Sequence, residues 1–241
     1  MCADVADSGF SFLCSLRNFF DYLFALYWCG VVLFCGVPSF TINDVQGHTL
    51  GEARWGAGKG HDDFILLAAG TGIGGAVVAD GKLLKGYHGY AGELGHIQIS
   101  LKTDVKCPCG GVGHLEGVAS GSGIENCYEE LTGTRLTGPE ISKLANDGDM
   151  QAKEVIETAG FALGGSIGML LSVFDPEIIV LTGSVTKAGK IWEDALYRGY
   201  NKEANPTIKD NLKIVSAKLG DPAAVYGACE NTLDMIEQNN N

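Results

Sequence analysis

The sequence is poor in positive charge, in proline and in long uninterrupted hydrophobic segments. Lysine and arginine number 17 against 29 aspartates and glutamates, which leaves a formal net charge of -12. The positive side chains are scattered and form no basic patch. Because the phosphate backbone of nucleic acid repels such a surface, DNA and RNA are not expected as partners. With 46% hydrophobic and 19% charged residues, the composition favours a folded globular protein over a disordered one.

The opening segment, residues 1–35, differs in composition from the rest of the chain. Residues 22–35 form an uncharged, aromatic-rich run that is shorter than the roughly 20 residues of a membrane helix. The first residues carry acidic side chains and no basic cluster, which disfavours a signal peptide. Three interpretations remain: a buried core helix, a marginal membrane segment, or sequence foreign to the ancestral protein. Association of residues 19–34 with a membrane or another subunit is a weaker hypothesis.

From residue 36 to residue 241, apolar runs alternate with amphipathic segments, and glycines cluster at the turns between them. The pattern predicts strands over residues 39–42, 64–69, 76–79, 82–84, 97–101, 177–181 and 212–217, and helices over residues 45–53, 123–131, 141–146, 150–173, 187–201 and 223–236. This alternation indicates a layered α/β fold. The eight cysteines do not form the even framework of a small secreted protein, so a reducing cytoplasm is expected.

A glycine-rich segment, GTGIGG at residues 70–75, follows one apolar strand and leads into another. A dinucleotide-binding fingerprint would open a helix, so that interpretation is disfavoured. A strand–glycine–strand turn instead presents backbone N–H groups and the Thr71 hydroxyl to an anion, as phosphate-binding turns do. A glycine-rich hairpin that binds nothing remains the alternative.

The pair Asn43–Asp44 ends a short predicted strand. A carboxylate in this position can take the proton from a substrate hydroxyl that attacks phosphorus, while the neighbouring amide hydrogen-bonds a sugar hydroxyl. Aspartate is also a preferred N-cap residue for a following helix. Taken by itself, the pair favours capping.

The strongest local signal is a cluster of cysteines and histidines. Cys107, Cys109 and His114 lie within one glycine-bearing loop, and His96 precedes it in the segment GELGH. Two thiolates and two imidazoles form a closed set of ligands for structural zinc. The alternative is an inert pair of thiols beside two surface histidines.

Taken in order, these elements resemble the ROK family of sugar kinases and sugar-responsive repressors. The matching motifs are GVPSFTIND at residues 36–44, GTGIGG at 70–75, GELGH at 92–96, CPCGGVGHLE at 107–116, ASG at 119–121, DPEIIVLTG at 175–183 and LGDPAAVYGA at 219–228. The resemblance implies the two-lobed ribonuclease-H-like fold of the actin and hexokinase superfamily. Its N-terminal lobe is expected to be incomplete, because residues 1–35 contain no Asp-x-Gly-Gly-Thr-type phosphate loop.

The same resemblance implies ATP-dependent phosphorylation of a hexose, glucose or an N-acetylhexosamine, on the 6-hydroxyl, with Asp44 as the base and Mg²⁺ accompanying ATP. The implied residues are Asn43, Asp44, Glu93, His96 and Glu116 for the sugar; Gly70, Thr71, Gly72 and Gly74 for the nucleotide phosphates; Gly183 for the adenosine side; and His96, Cys107, Cys109 and His114 for structural zinc. His96 would bind zinc through one ring nitrogen and a sugar hydroxyl through the other. A homo-oligomer is implied as well.

Two departures from the family pattern qualify this expectation. His114 stands where the family usually has a third cysteine, and histidine is an acceptable zinc ligand. The absent phosphate loop leaves an alternative function, a catalytically impaired sugar-binding module such as a degenerate kinase or the effector domain of a repressor. The opening segment does not resemble the helix-turn-helix that a repressor needs.

Overall fold

The computed structural model describes residues 40–239, and its sheet contains five strands among them. The strands are β1 (Phe64–Ala69), β2 (Ile73–Ala79), β3 (Lys82–Leu83), β4 (Ile178–Thr182) and β5 (Lys213–Ser216). The helices are α1 (Asp44–Trp55), α2 (Leu115–Ala119), α3 (Gly121–Thr132), α4 (Gly138–Asn146), α5 (Met150–Phe174), α6 (Lys190–Glu203) and α7 (Ala223–Asn239). The sheet, helices α1–α6 and the start of α7 lie within the compact unit Ile42–Asn231.

The strands are arranged in the order β3-β2-β1-β4-β5. β1 pairs antiparallel with β2, which pairs antiparallel with β3. β4 pairs parallel with β1 and with β5, in the registers Phe64↔Ile178 and Ile178↔Lys213. The hairpin between β2 and β3 turns at Asp80 and Gly81, both of which have positive φ, as Asp-Gly hairpin turns require.

Both faces of the sheet are covered by apolar contacts. Along β1, Ile65 and Leu67 point into the larger core, and Phe64 and Leu66 point into a smaller one on the opposite face. Because side chains alternate across a strand, a run of apolar residues such as β1 requires cover on both sides. Residues of α2–α6 provide it on one face, and α1 does so on the other.

Helix α5 runs through the larger core and packs on α6 at very short range. A Cβ added at Gly164 would collide with the carbonyl oxygen of Leu196, and one added at Gly160 with that of Trp192. α5 is the one helix of the described residues long and apolar enough to cross a membrane. Its most apolar window is 72% buried inside the protein, which is the pattern of a core helix.

Most predicted elements are confirmed, and two predicted strands are wrong. Residues 40–42 belong to no strand. Residues 97–101 form a single bridge, Gln98↔His114. On the partner side α2 begins at Leu115 and the Gly113 N–H donates to the carbonyl oxygen of Val105, so the ladder does not continue. The predicted helix over 187–201 is in fact a 3-10 turn, Ser184–Lys187, followed by α6. Every expectation for residues 1–35, including association of residues 19–34, lies outside the described residues.

Candidate functional site

A cleft of about 370 Å³ opens where the start of α1 meets the turn between β1 and β2. Its lining residues are Asn43, Asp44, Val45, Ala68, Gly70, Thr71, Gly72, Ile73, Gly74, Gly75, Gly92, Glu93 and Glu116. Three carboxylates and a glycine-rich turn therefore share one concave surface. The cleft gathers every predicted phosphate-turn residue and every predicted sugar-side residue except His96.

Helix α1 begins in the cleft, and Asn43 is its N-cap. The Asn43 Oδ1 atom accepts hydrogen bonds from the backbone N–H groups of Val45 and Gln46, at 3.0 and 3.2 Å. The capping function considered for the pair is thus served by asparagine. Asp44 is the first helical residue, and its Oδ1 accepts from the N–H of Val45 at 2.9 Å. The carboxylate is exposed and lies at the N-terminus of the helix.

The glycine-rich segment forms the tight connection of an antiparallel hairpin, with Ala69 opposite Ile73. The N–H of Gly70 donates to the carbonyl oxygen of Gly72 at 3.0 Å. A Cβ added at Gly74 would come within 2.6 Å of the Val45 side chain. Glycine at this position therefore allows α1 to approach the hairpin closely, which brings Asp44 and Thr71 to the same cleft.

The four predicted metal ligands are brought together. One donor atom from each of His96, Cys107, Cys109 and His114 lies within 4.8 Å of the other three. The Cys107 sulfur is 3.5 Å from Nδ1 of His96, and the Cys109 sulfur is 3.2 Å from Nδ1 of His114. Two sulfur and two nitrogen donors at these separations fit the tetrahedral site that zinc prefers.

The electrostatics of this cluster depend on its burial. Cys107 is buried while Cys109 is exposed, and burial raises the pKa of the Cys107 thiol to about 11. The metal-free thiol therefore keeps its proton at neutral pH. A zinc ion that binds here has to displace that proton.

His96 lies between the metal cluster and the cleft. Its Nδ1 atom faces Cys107, and its Nε2 atom is 3.8 Å from a carboxylate oxygen of Glu93. The side chain of Glu93 is 53% exposed and lines the cleft. One ring nitrogen thus faces the metal ligands while the other faces the cleft.

Glu116 connects several parts of the site. Its Oε2 atom accepts the backbone N–H of Ile73 at 2.9 Å, and its Oε1 atom is 3.8 Å from the Cys107 sulfur. Gly183 lies outside the cleft, against the end of β1. A Cβ there would collide with the carbonyl oxygen of Ala69, and the residue has a φ of 98°, so this approach requires glycine.

Sequence reasoning missed Glu52, a fully buried carboxylate near the end of α1. It accepts backbone N–H groups from Ala57 at 2.6 Å, Lys218 at 3.1 Å and Leu219 at 2.7 Å. These bonds tie the helix that begins with Asp44 to the segment after β5. A glutamate in a helix of mixed composition resembles a solvated surface residue, and only the nearby glycines at positions 51, 56 and 58 hint at close packing.

Comparisons with a family model, with curated proteins and with solved structures all point to one family. The model of the ROK family matches residues 34–233. The glucokinase of Halalkalibacterium halodurans is 34% identical over 205 residues, covering 79% of this chain and 62% of its own length. The N-acetylglucosamine repressor of Escherichia coli is 32% identical over 198 residues, covering 78% of this chain and 48% of its own length.

Among solved structures, the ROK hexokinase from Thermus thermophilus is similar with a TM-score of 0.73 at 31% identity. The match covers 80% of this chain and 64% of that hexokinase chain. The predicted fold class, the ribonuclease-H-like α/β fold of the actin and hexokinase superfamily, is confirmed. The chain spans between about half and two thirds of the length of these relatives.

Proposed function

Because the chain belongs to the ROK family, we propose that it binds a hexose and transfers the terminal phosphoryl group of ATP to it. The observation that carries the proposal is the single cleft in which Asp44, Glu93, Glu116 and the glycine-rich turn converge. Carboxylates and an amide suit a ligand rich in hydroxyl groups, whereas backbone N–H groups at a glycine turn suit phosphate. A similar glucokinase supports this activity.

In the proposed reaction Asp44 is the catalytic base. Its carboxylate accepts the proton of the sugar 6-hydroxyl as that oxygen attacks the terminal phosphorus, and the bond from phosphorus to the ADP oxygen breaks. Asn43 caps α1 through its oxygen, which leaves its amide N–H groups available to donate to a sugar hydroxyl. Mg²⁺, which accompanies ATP, neutralises phosphate charge.

On the sugar side, we propose Asn43, Asp44, Glu93, His96 and Glu116 as ligands of the hydroxyl groups. His96 supports both functions, since its two ring nitrogens face Cys107 and Glu93 respectively. Zinc held by the cluster would fix the orientation of the imidazole ring. Gly70, Thr71, Gly72 and Gly74 are proposed to face the nucleotide phosphates, and Gly183 to lie near the adenosine.

A second candidate function is sugar binding without turnover, as in a degenerate kinase or a repressor's effector domain. The similarity to the N-acetylglucosamine repressor favours it, and so does the absence of an Asp-x-Gly-Gly-Thr motif from residues 1–35. The negative charge of the transition state of phosphoryl transfer has to be neutralised from several sides. A kinase domain that acts without such a loop would bind a sugar and phosphorylate it slowly or not at all.

The test is a coupled ADP-release assay on the whole chain with Mg²⁺–ATP. The sugar panel contains glucose, N-acetylmannosamine, N-acetylglucosamine and fructose. We expect turnover with one of these sugars, and a loss of at least about 1,000-fold in kcat for Asp44→Asn, because asparagine keeps the Oδ1 atom near Val45 but cannot accept a proton. Sugar affinity, measured by calorimetry, should change little in this variant.

The matched control is Asp147→Asn. Asp147 is exposed at the end of α4, so this variant should retain full activity. Sugar binding without turnover in the folded, zinc-loaded chain would favour the second candidate. Equal activity of Asp44→Asn and the unsubstituted chain would reject Asp44 as the base.

A further inference from the structure

The turn at residues 70–73 is hydrogen-bonded to one neighbouring segment outside the hairpin. The N–H of Ile73 donates to Oε2 of Glu116 at 2.9 Å. The N–H of Gly121 donates to the carbonyl oxygen of Gly70 at 2.7 Å, and the N–H of Ser122 donates to that of Thr71 at 3.2 Å. Three hydrogen bonds therefore join three of the four turn residues, Gly70, Thr71 and Ile73, to the segment that runs from α2 into α3.

Within this set, Glu116 supplies the one bond made by a side chain. Its carboxylate lies directly beside Gly72, because a Cβ added there would come within 2.6 Å of the Oε2 atom. Glu116 also contacts the loop that carries the metal cluster, since its Oε1 atom lies 3.8 Å from the Cys107 sulfur. The carboxylate thus lies between the turn and the metal cluster, in contact with both.

We propose that Glu116 is a positioning residue for the nucleotide, in addition to any contact that it makes with the sugar. By accepting the Ile73 N–H, its carboxylate holds the turn in the conformation that receives the phosphates. This inference rests on the proposed function of the turn, and it concerns a different ligand from the one that the family resemblance assigns to Glu116.

Because Glu116 is a carboxylate, positioning of the turn and simple charge repulsion predict opposite effects of removing it. A carboxylate close to a phosphate site repels the phosphates, so its simple removal should strengthen nucleotide binding. If Glu116 acts by positioning the turn, its removal should weaken nucleotide binding instead. The two effects have opposite signs, and their difference can be measured without sugar present.

The experiment measures binding of Mg²⁺ with a non-hydrolysable ATP analogue by calorimetry, in the absence of any sugar. We expect Glu116→Ala to weaken this binding about tenfold, the effect of losing a hydrogen bond to a charged acceptor. Glu116→Gln keeps an oxygen that can accept the Ile73 N–H and should stay within about threefold of the unsubstituted chain. Glu93→Ala removes another carboxylate from the same cleft. Because the side chain of Glu93 has no hydrogen bond to the turn in the described structure, this substitution should not weaken binding of the nucleotide analogue.

A second readout does not depend on nucleotide. Amide hydrogen exchange across residues 70–73 should accelerate about tenfold in Glu116→Ala but not in Glu93→Ala. Zinc content and the thermal midpoint identify variants that have lost the fold. If Glu116→Ala loses the fold, the comparison of Glu116→Gln with the unsubstituted chain still tests the inference. Nucleotide affinity and exchange rates in Glu116→Ala equal to those of the unsubstituted chain would overturn the inference. A chain that binds no nucleotide would reject the proposed kinase, while the exchange rates would still decide whether Glu116 holds the turn.

Discussion

At the scale of single residues, Asn43 and Asp44 have different tasks. Both side chains can cap a helix, but only the aspartate can accept a proton. Asn43 satisfies the first backbone N–H groups of α1, and the next residue presents an exposed carboxylate at the positive helix terminus. Because Asn43 accepts both N–H groups and Asp44 shares only that of Val45, the exposed aspartate is available for chemistry. The neighbouring residues of the same cleft owe their positions to glycines that permit close approach, such as Gly74 beside Val45.

The metal cluster provides a prediction at the same scale. Cys107→Ser should lower zinc affinity by at least about 100-fold, because a buried thiolate ligand is replaced by a hydroxyl that binds zinc poorly. Cys127→Ser is the matched control, since Cys127 is a half-buried thiol outside the cluster. Competition with a chromogenic chelator measures both affinities. Equal zinc affinity in the two variants would show that the cluster is not the binding site.

At the scale of elements, the packing of α5 on α6 depends on glycines that let the two helix backbones approach. A Cβ at Gly164 meets the Leu196 carbonyl oxygen, which belongs to the backbone of α6 and cannot rotate away. One residue further along α5, a Cβ at Gly165 meets the flexible side chain of Glu203, at 3.3 Å. Two adjacent glycines in one helix therefore have different steric environments.

This difference gives a paired prediction about stability. Gly164→Ala should lower the free energy of unfolding by about 2–3 kcal/mol, since the helices must separate to admit the methyl group. Gly165→Ala should be neutral or stabilising by up to about 1 kcal/mol, because alanine favours helix more than glycine does. Urea unfolding of both variants provides the comparison, and equal stabilities would contradict the proposed contact at Gly164.

At the scale of the whole molecule, both candidate functions share one requirement, that the chain binds a hexose. A ligand present at 100 times its Kd stabilises the folded state by about 2.7 kcal/mol, which for a domain of this size raises the thermal midpoint by about 5–10 °C. We expect one of the four sugars of the panel to produce such a shift in a thermal unfolding assay. Sorbitol at the same concentration controls for general solvent effects. Equal midpoints with every sugar and with sorbitol would reject both candidate functions.

The sequence by itself determined most of the periodic elements, and it named residues that the structure gathers in the cleft and in the cysteine–histidine cluster. Apolar runs such as β1 and the long helix α5 are visible from composition and period, because burial on both sides leaves little choice of residue. The cysteine and histidine pattern predicted four ligands that the structure brings within 4.8 Å of one another. Local spacing sufficed there because three of the ligands lie in one loop.

Only the tertiary structure decided which of these residues face one another. The bond from Ile73 to Glu116 joins residues 43 positions apart, and the bonds of Glu52 to the segment after β5 span 166 and 167 positions. Such partners are chosen by the packing of α1 and α2 around the sheet, which no local pattern encodes. Residues 97–101 failed as a strand for the same reason: strand pairing needs a neighbour, and the fold provides one there for a single bridge.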